Sequence, residues 1–261
     1  MNYGIPTLME FSHPDALAAF CAAYGFGFVE MNMTFPWFQA GAFSAETVGA
    51  LQKKYGVGFT IHLHDQVNPF EFSPDLRRGS LENIRFALAL ARALGLPRIT
   101  MHLQPGTYSA IDGKKVYLYA HCKDRYLDLV RTFIAFVEEQ LQGSGALLCI
   151  ENTSGFQPYQ MEAIEMMLAS DRFGLTFDIG HSFKAGGGDE QFILTHADKL
   201  RHFHIHDCSV KSNHLAFGDG GLDIVRYVKL AERYGCSMVA EVKESGALIR
   251  SKNYLIEHCL W

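Results

Sequence analysis

The stretch Leu200–Asp223 reads LRHFHIHDCSVKSNHLAFGDGGLD and carries four histidines and three aspartates in 24 residues. In an extended strand, alternate side chains point to opposite faces, so His202, His204 and His206 are predicted to share one face. The phenylalanine and isoleucine between them occupy the other face. Because one face is apolar and the other carries three imidazoles, we predict a buried strand whose second face lines a metal site.

On both sides of this stretch, short apolar runs of strand length alternate with longer amphipathic segments, eight times in all. The predicted strands are Tyr3–Met9, Gly27–Met33, Gly58–His64, Arg98–Leu103, Ala146–Asn152, Gly174–Asp178, Arg201–His206 and Met238–Val242. The predicted helices are Pro14–Tyr24, Ala45–Tyr55, Pro74–Leu94, Val116–Leu141, Pro158–Ala169, Asp189–Asp198, Ile224–Tyr234 and Ala247–Cys259. Repeated strand–helix alternation indicates a parallel sheet, and eight units in 261 residues fit a closed barrel. We therefore predict an α/β fold, a single (β/α)8 TIM barrel forming one domain over residues 1–261.

The longest non-helical stretches follow predicted strands and not predicted helices. They are Thr34–Ser44, Asp65–Ser73, Gln104–Lys115 and Asp207–Leu222. Loops after strands build the face on which TIM barrels keep their functional sites. The functional residues are therefore expected at the C-terminal ends of the strands.

Polar side chains occupy the inward face near the ends of the predicted strands. Alternation places these residues there: Glu30, Asn32, His62, His64, Thr100, His102, Glu151, Asp178, His204 and Glu241. A single such histidine is usually a hydrogen-bonded core residue, but charged groups gathered at a barrel mouth are costly unless they are paired or bind a metal. The predicted metal ligands are His64, His102, Glu151, Asp178, His181, His204, His214 and Glu241. His62, His202 and His206 share the inward face and are candidates for hydrogen bonds to metal-bound groups.

All eight predicted ligands offer nitrogen or oxygen, which suits Zn²⁺, Mn²⁺, Co²⁺ or Fe²⁺ and requires none of the cysteines. A bridging carboxylate holds two such ions about 3.5–4 Å apart. We therefore expect a divalent metal cofactor, Zn²⁺, Mn²⁺ or Co²⁺, with one to three ions per chain.

Composition restricts the partners and the compartment. The net charge is −5 with neutral histidines, which argues against a general nucleic-acid binder. The six cysteines are scattered without a CxxC pair, and the first residues lack a signal-peptide pattern, so reduced thiols and a cytoplasmic location are expected. No apolar run approaches the roughly 18 residues of a membrane span, so no membrane association is expected.

Four motifs together resemble the xylose-isomerase-like TIM-barrel superfamily. They are IENTSG at Glu151, FDIGH around Asp178, HIHD at His204 and HLAFGDGGLD at His214. This superfamily contains sugar and sugar-phosphate isomerases and epimerases as well as endonuclease IV. The resemblance runs along essentially the whole chain and implies the barrel fold and bound divalent metal.

Resemblance to the ketose epimerases implies one metal held by Glu151, Asp178, His204 and Glu241. A metal that polarises a sugar carbonyl acidifies the adjacent C–H. Glu151 and Glu241 would then be the catalytic acid–base pair, and His181 would bind a substrate hydroxyl. Where these epimerases often carry an arginine, this chain has Val210, with Lys211 beside it.

Resemblance to endonuclease IV implies the alternative, a zinc-dependent phosphodiesterase acting on abasic DNA. His64, His102 and Glu151 would bind the first zinc, the four epimerase-type ligands the second, and His181 and His214 the third. Ser212 stands where the third site normally has an aspartate, which argues against this activity.

A non-catalytic metal-binding barrel is the third hypothesis. A sugar is the expected partner, DNA belongs to the alternative alone, and the aromatic residues in the loops after strands two and three are compatible with a homo-oligomer.

Overall fold

The computed structural model describes residues 3–261, in which ten strands form a closed barrel and a separate hairpin. The strands are β1 (Tyr3–Ile5), β2 (Phe28–Asn32), β3 (Gly58–His62), β4 (Arg98–His102), β5 (Tyr108–Ile111), β6 (Lys114–Tyr117), β7 (Leu147–Glu151), β8 (Phe173–Asp178), β9 (Leu200–Ile205) and β10 (Ser237–Ala240). Strands β5 and β6 pair with each other, and the other eight close in chain order, with β10 parallel to β1. The predicted (β/α)8 TIM barrel is confirmed.

Helices connect the barrel strands on the outside. They are α1 (Pro14–Ala23), α2 (Ala45–Tyr55), α3 (Pro74–Leu94), α4 (Leu118–His121), α5 (Lys123–Gln140), α6 (Pro158–Leu168), α7 (Ile179–Lys184), α8 (Gly188–Thr195), α9 (Ile224–Arg233) and α10 (Ser245–Glu257). Helix α3 has the predicted bounds, and it ends because Gly95 adopts φ 64°, a left-handed conformation that glycine tolerates. Between residues 3 and 261, no helix combines the length and apolarity that crossing a bilayer requires.

The two faces of the barrel wall differ in chemistry. Outward-facing Phe177 and Phe203 have ring centroids 5.5 Å apart, and Tyr227 of α9 packs 5.9 Å from Phe177. Burying each large apolar side chain contributes roughly 1.5–3 kcal/mol. The inward face carries polar groups, such as Thr100 and Thr176, whose hydroxyl oxygens lie 3.3 Å apart. The aromatic packing therefore stabilises the barrel from outside and leaves its interior to polar side chains.

A β-bulge adjusts the pairing of β8 with β9. Leu175 pairs with Leu200, but the next residue, Thr176, pairs with His202, so Arg201 is an extra residue in β9. Bulges re-aim the side chains that follow them. Beyond the bulge, Asp178 pairs with His204 at the end of the barrel where the predicted ligands lie.

The non-helical stretch predicted at residues 104–115 contains β5, the turn after it and the first two residues of β6. Asp112 and Gly113 form this two-residue turn with φ 49° and 74°, as expected for a type I′ Asp-Gly turn. The helix predicted to begin at Val116 begins at Leu118, because β6 continues to Tyr117.

Candidate metal centre

Four side chains from neighbouring strands meet at one mouth of the barrel. Glu151 ends β7, Asp178 ends β8, His204 lies near the end of β9, and Glu241 follows β10. One ligand atom from each lies within 4.8 Å of those of the others. His204 Nδ1 is 3.0 Å from Glu151 Oε1 and 3.3 Å from Glu241 Oε2. We call these four residues the quartet; their role as metal ligands stays a prediction.

Asp178 is fixed by its neighbours along and across the sheet. Asn152 donates from Nδ2 to the Asp178 carbonyl and accepts from the Asp178 N–H, each at 2.8 Å. The Asp178 carboxylate caps α7, accepting from the His181 N–H at 2.6 Å, and His206 Nε2 lies 3.1 Å from Asp178 Oδ1. This carboxylate therefore has little freedom to turn away from the quartet.

The electrostatics of the quartet favour a positive charge at its centre. Glu151, Asp178 and His204 are each at most 1% exposed. Burial raises the pKa of Glu151, but His204 and His102 outweigh it and hold this pKa well below its usual value. Burial lowers the pKa of His204, but Glu151, Glu30 and Glu241 hold it well above its usual value. The charged forms of Glu151 and His204 therefore favour each other, and this carboxylate also favours any other positive charge placed beside it.

The donor set fits a divalent cation. Within residues 3–261, the buried atoms Glu241 Oε2 and His181 Nδ1 have no hydrogen-bond partner. His204 Nδ1 is 3.3 Å from Glu241 Oε2, but its hydrogen-bond partner is Glu151 Oε1 at 3.0 Å. Three carboxylates and one imidazole are ligands that Zn²⁺, Mn²⁺ and Co²⁺ accept. A cation at this point would compensate the buried negative charge, which is otherwise costly.

Two histidines from β3 and β4 flank the outer oxygen of Glu151. His62 Nε2 and His102 Nε2 lie 3.2 Å and 3.3 Å from Glu151 Oε2. Although burial lowers the pKa of His62, the hydrogen bond to Glu151 and the charge of that carboxylate raise it to about 9. The predicted ligand His102 thus lies beside Glu151, together with His62, and its role as a ligand stays a prediction.

His64, in contrast, lies outside this arrangement. Strand β3 ends at His62, two residues before its predicted end, so the alternation that would turn His64 inward no longer applies. His64 Nδ1 instead accepts from the Gln66 N–H at 3.1 Å. Among residues 3–261, His64 is in no group of converging metal-ligating side chains. The structure therefore brings His62, and not the predicted ligand His64, beside Glu151.

A group of three histidines adjoins the opposite side of the quartet. His181, His206 and His214 each offer a nitrogen within 4.8 Å of the others. His181 Nδ1 is 3.6 Å from Asp178 Oδ2. Burial, the largest influence, lowers the pKa of His214 to about 4, so this imidazole is neutral at physiological pH. Predicted ligands His181 and His214 therefore lie next to each other and border the quartet.

Asp207 organises the loop that carries His214. Its carboxylate accepts four backbone N–H groups, from Cys208, Gly218, Gly220 and Leu222, at 2.8–3.0 Å. A Cβ on Gly220 would lie 2.3 Å from Asp207 Oδ1, so only glycine permits this approach. The same loop lets His214 Nδ1 donate to the Glu241 carbonyl at 2.9 Å. The sequence analysis assigned Asp207 no role, although the glycines of GDGG are a signal of close backbone approach.

A cavity of about 340 Å³ opens beside the quartet. Its lining residues are Pro6, Thr7, Met9, Glu30, Asn32, Thr34, Phe35, His62, Asp65, Glu241 and Lys243. Lys243 Nζ lies 2.8 Å from Glu241 Oε1, and Asn32 Nδ2 donates to Asp65 Oδ1 at 3.2 Å. Burial lowers the pKa of Lys243, but the nearby Glu241 raises it further, so the ammonium is charged. The cavity thus combines one apolar edge with polar groups and one carboxylate of the quartet.

A closed barrel with a buried quartet of this kind defines a barrel protein with a candidate divalent-metal centre. Residues 18–257 match the family described as xylose isomerase-like TIM barrel, and the chain belongs to that family.

Individual relatives are distant in sequence. The uncharacterized protein MJ1311 of Methanocaldococcus jannaschii is 24% identical over 220 residues, covering 80% of this chain and 72% of the relative. A D-tagatose 3-epimerase-like protein superposes with TM-score 0.76 at 19% identity, over 99% of this chain and 97% of that one. The IOLI protein with a binding zinc atom superposes with TM-score 0.74 at 13% identity, over 98% and 97%. At these identities the two solved structures support the fold.

Proposed function

We propose that the protein is a metal-dependent isomerase or epimerase of a sugar or sugar phosphate, which moves a proton at the carbon next to a carbonyl. The observation that carries this proposal is the placement of Glu151 and Glu241. Glu151 ends β7 and Glu241 follows β10, three strands further around the barrel, and both lie close to His204 Nδ1. Glu241 also lines a cavity of about 340 Å³. The similar solved structure of a D-tagatose 3-epimerase-like protein supports this class of reaction.

The quartet Glu151, Asp178, His204 and Glu241 is the proposed ligand set for Zn²⁺, Mn²⁺ or Co²⁺. Such a cation supplies a Lewis acid that polarises the substrate carbonyl and acidifies the neighbouring C–H. A neighbouring structure in the same fold, the IOLI protein, is described with a zinc atom, which supports a divalent metal here.

Glu241 and Glu151 are the proposed proton acceptor and donor. Glu241 lines the cavity, and Lys243 lies 2.8 Å from its outer oxygen, Oε1. Glu151 Oε1 lies 3.0 Å from His204 Nδ1, and His62 and His102 flank its other oxygen, Oε2. Each carboxylate is thus held by cationic or hydrogen-bonding groups while it faces the reacting carbon, as a general acid–base pair requires.

His181 is the proposed contact for a substrate hydroxyl. Its buried Nδ1 has no hydrogen-bond partner within residues 3–261, although it lies 3.9 Å from Glu151 Oε1. On the far side of the cavity, Asn32 and Asp65 offer amide and carboxylate groups to further hydroxyls. Phe35 offers an apolar surface to the sugar carbons.

The test is proton exchange with solvent. Protein loaded with Mn²⁺, Co²⁺ or Zn²⁺ is incubated in D₂O with free and phosphorylated ketoses, and deuterium at the carbon next to the carbonyl is measured by NMR. Wild-type protein should incorporate deuterium, and Glu151→Gln and Glu241→Gln should reduce the rate by at least the roughly 10²–10⁴-fold that general acid–base catalysis supplies. Glu139→Gln, an exposed change on α5, is the control. Near-wild-type rates in either active-site variant would refute the assignment.

A phosphodiesterase of the endonuclease IV type is the second candidate. The observation that favours it is the presence of further donor groups on both sides of the quartet, His62 with His102 and the group of His181, His206 and His214. Ser212, which replaces the expected aspartate, is exposed, and the net charge is −5. Three tightly held zinc ions per chain and cleavage of abasic-site DNA would favour this candidate over the epimerase.

A further inference from the structure

A buried carboxylate that is not part of the quartet contacts His204, the only imidazole of the quartet. Glu30, at the centre of β2, is 3% exposed and forms part of the cavity floor. Its Oε2 lies 2.8 Å from His204 Nε2. Glu30 is not needed as a ligand in the proposed centre, and an unpaired buried carboxylate is strongly unfavourable. The groups around Glu30 must therefore compensate the cost of burying its charge.

The two nitrogens of His204 face different partners. Nδ1 faces the quartet, 3.0 Å from Glu151 Oε1, whereas Nε2 faces Glu30 on the opposite side of the ring. A neutral imidazole carries its hydrogen on one nitrogen and a lone pair on the other. Among the described residues Nε2 makes no hydrogen bond, so its 2.8 Å contact with Glu30 Oε2 is one of charge and proximity. Metal binding requires the neutral ring, and a hydrogen held on Nε2 by the Glu30 carboxylate leaves the Nδ1 lone pair directed at the quartet.

Glu30 is itself held in place through its second oxygen. The Thr60 hydroxyl donates to Glu30 Oε1 at 3.3 Å, and His202 Nε2 lies 3.3 Å from the same oxygen. His202 is anchored in turn by Ser237, whose Oγ is 2.6 Å from His202 Nδ1. Oε2 thereby faces His204, and the carboxylate cannot rotate without breaking contacts with residues of two strands, β3 and β9.

We propose that Glu30 is a positioning residue that fixes the tautomer and orientation of His204 and strengthens divalent-metal binding by the quartet. This inference rests on the metal centre of the proposed function. Ligating histidines generally give their second ring nitrogen to a carboxylate, carbonyl or water, and loss of that partner weakens metal affinity about 10–100-fold. Glu30 also adds a fourth buried carboxylate to the three of the quartet, which increases the attraction for a dication.

The test compares Co²⁺ affinity and visible absorption in wild-type protein, Glu30→Gln and Thr100→Val. Glu30→Gln retains the side-chain shape but loses the charge, whereas Thr100→Val changes a buried polar side chain of the barrel interior that is paired with Thr176. We expect Glu30→Gln to weaken Co²⁺ binding about 10–100-fold and to alter the Co²⁺ absorption bands, which report the ligand field. Thr100→Val should bind Co²⁺ within about threefold of wild type. Thermal unfolding measured before Co²⁺ is added shows that both variants are folded at the temperature of the titration, so that a loss of affinity is not a general loss of structure.

The outcomes separate this inference from the proposed function. Wild-type affinity and an unchanged Co²⁺ spectrum in Glu30→Gln would overturn the role of Glu30 while leaving the metal centre intact. Equal losses in Glu30→Gln and Thr100→Val would also overturn it, because they would indicate a general effect on the barrel interior. Absence of Co²⁺ binding by wild-type protein would overturn the metal centre itself, and the role of Glu30 with it.

Discussion

Strands β3 and β9 both carry histidines at alternate positions, but the two runs end differently. In β9, the ladder with β10 continues through Ile205, and His202 and His204 both face the barrel interior, where they contact Glu30. In β3, the strand ends at His62, and His64 turns to the Gln66 N–H instead. The same alternating pattern thus has two outcomes, because the chain follows a different course after each strand ends.

The largest effect in this comparison is expected for His204→Ala. This change removes a proposed ligand and leaves Glu30 Oε2 without its closest partner. Metal affinity should fall by more than the roughly 100-fold that loss of an outer partner causes. An uncompensated buried charge should also lower the free energy of unfolding by about 3–5 kcal/mol. Isothermal titration with Mn²⁺ and chemical denaturation measure the two effects, and the exposed His258→Ala is the control. Unchanged Mn²⁺ affinity would remove His204 from the centre.

A smaller effect is expected for Gly180→Ala, which acts on the last histidine of the β9 run. A Cβ at this position would lie 1.9 Å from His206 Cε1, so the His206 ring must leave its place beside Asp178. Overpacking of this kind should lower the free energy of unfolding by roughly 1–3 kcal/mol. Gly188→Ala, in the next helix, is the matched control, because a Cβ there has no neighbour within 4 Å. Equal stability of the two variants in urea denaturation would contradict the contact with His206.

The smallest effect is expected when Mn²⁺ binding by His62→Gln is compared with Mn²⁺ binding by His64→Gln. His62 contacts Glu151 Oε2, whereas the Nδ1 of His64 accepts a hydrogen bond from the backbone of its own loop. We expect His62→Gln to weaken Mn²⁺ binding about tenfold, the lower end of the range for an outer partner, and His64→Gln to bind within about twofold of wild type. A larger loss of Mn²⁺ affinity in His64→Gln than in His62→Gln would support the predicted role of His64 as a metal ligand.

The barrel was predictable because eight strand–helix units leave a periodic signal, and the parallel order follows from the connections. Glu151 and Asp178 were placed together because each ends its strand, where alternation still holds. His64 was misplaced because no local pattern specifies the residue at which β3 leaves the sheet. Glu30 was correctly assigned to the inward face, but its contact with His204 depends on how strands on opposite sides of the barrel face each other. Such long-range contacts have no signature within a single segment.

The hairpin of β5 and β6 has a local sequence signal of its own, which is separate from the strand–helix alternation of the barrel. Asp112-Gly113, flanked by residues with high strand propensity, is a hairpin motif in its own right. It was read as part of a non-helical stretch because a two-stranded hairpin outside the barrel interrupts the strand–helix alternation.

The Asp207 carboxylate, which accepts hydrogen bonds from four backbone N–H groups within residues 208–222, has a consequence for how this loop can vary in evolution. Asp207 and Leu215 exchange both backbone hydrogen bonds, so the intervening segment leaves the barrel and returns to it at a fixed point. Val210, at the tip of this excursion, is 84% exposed. Insertions or deletions near Val210 should therefore be tolerated without displacing His214, which makes this tip a place where new substrate preferences can be explored or grafted at little cost to the barrel.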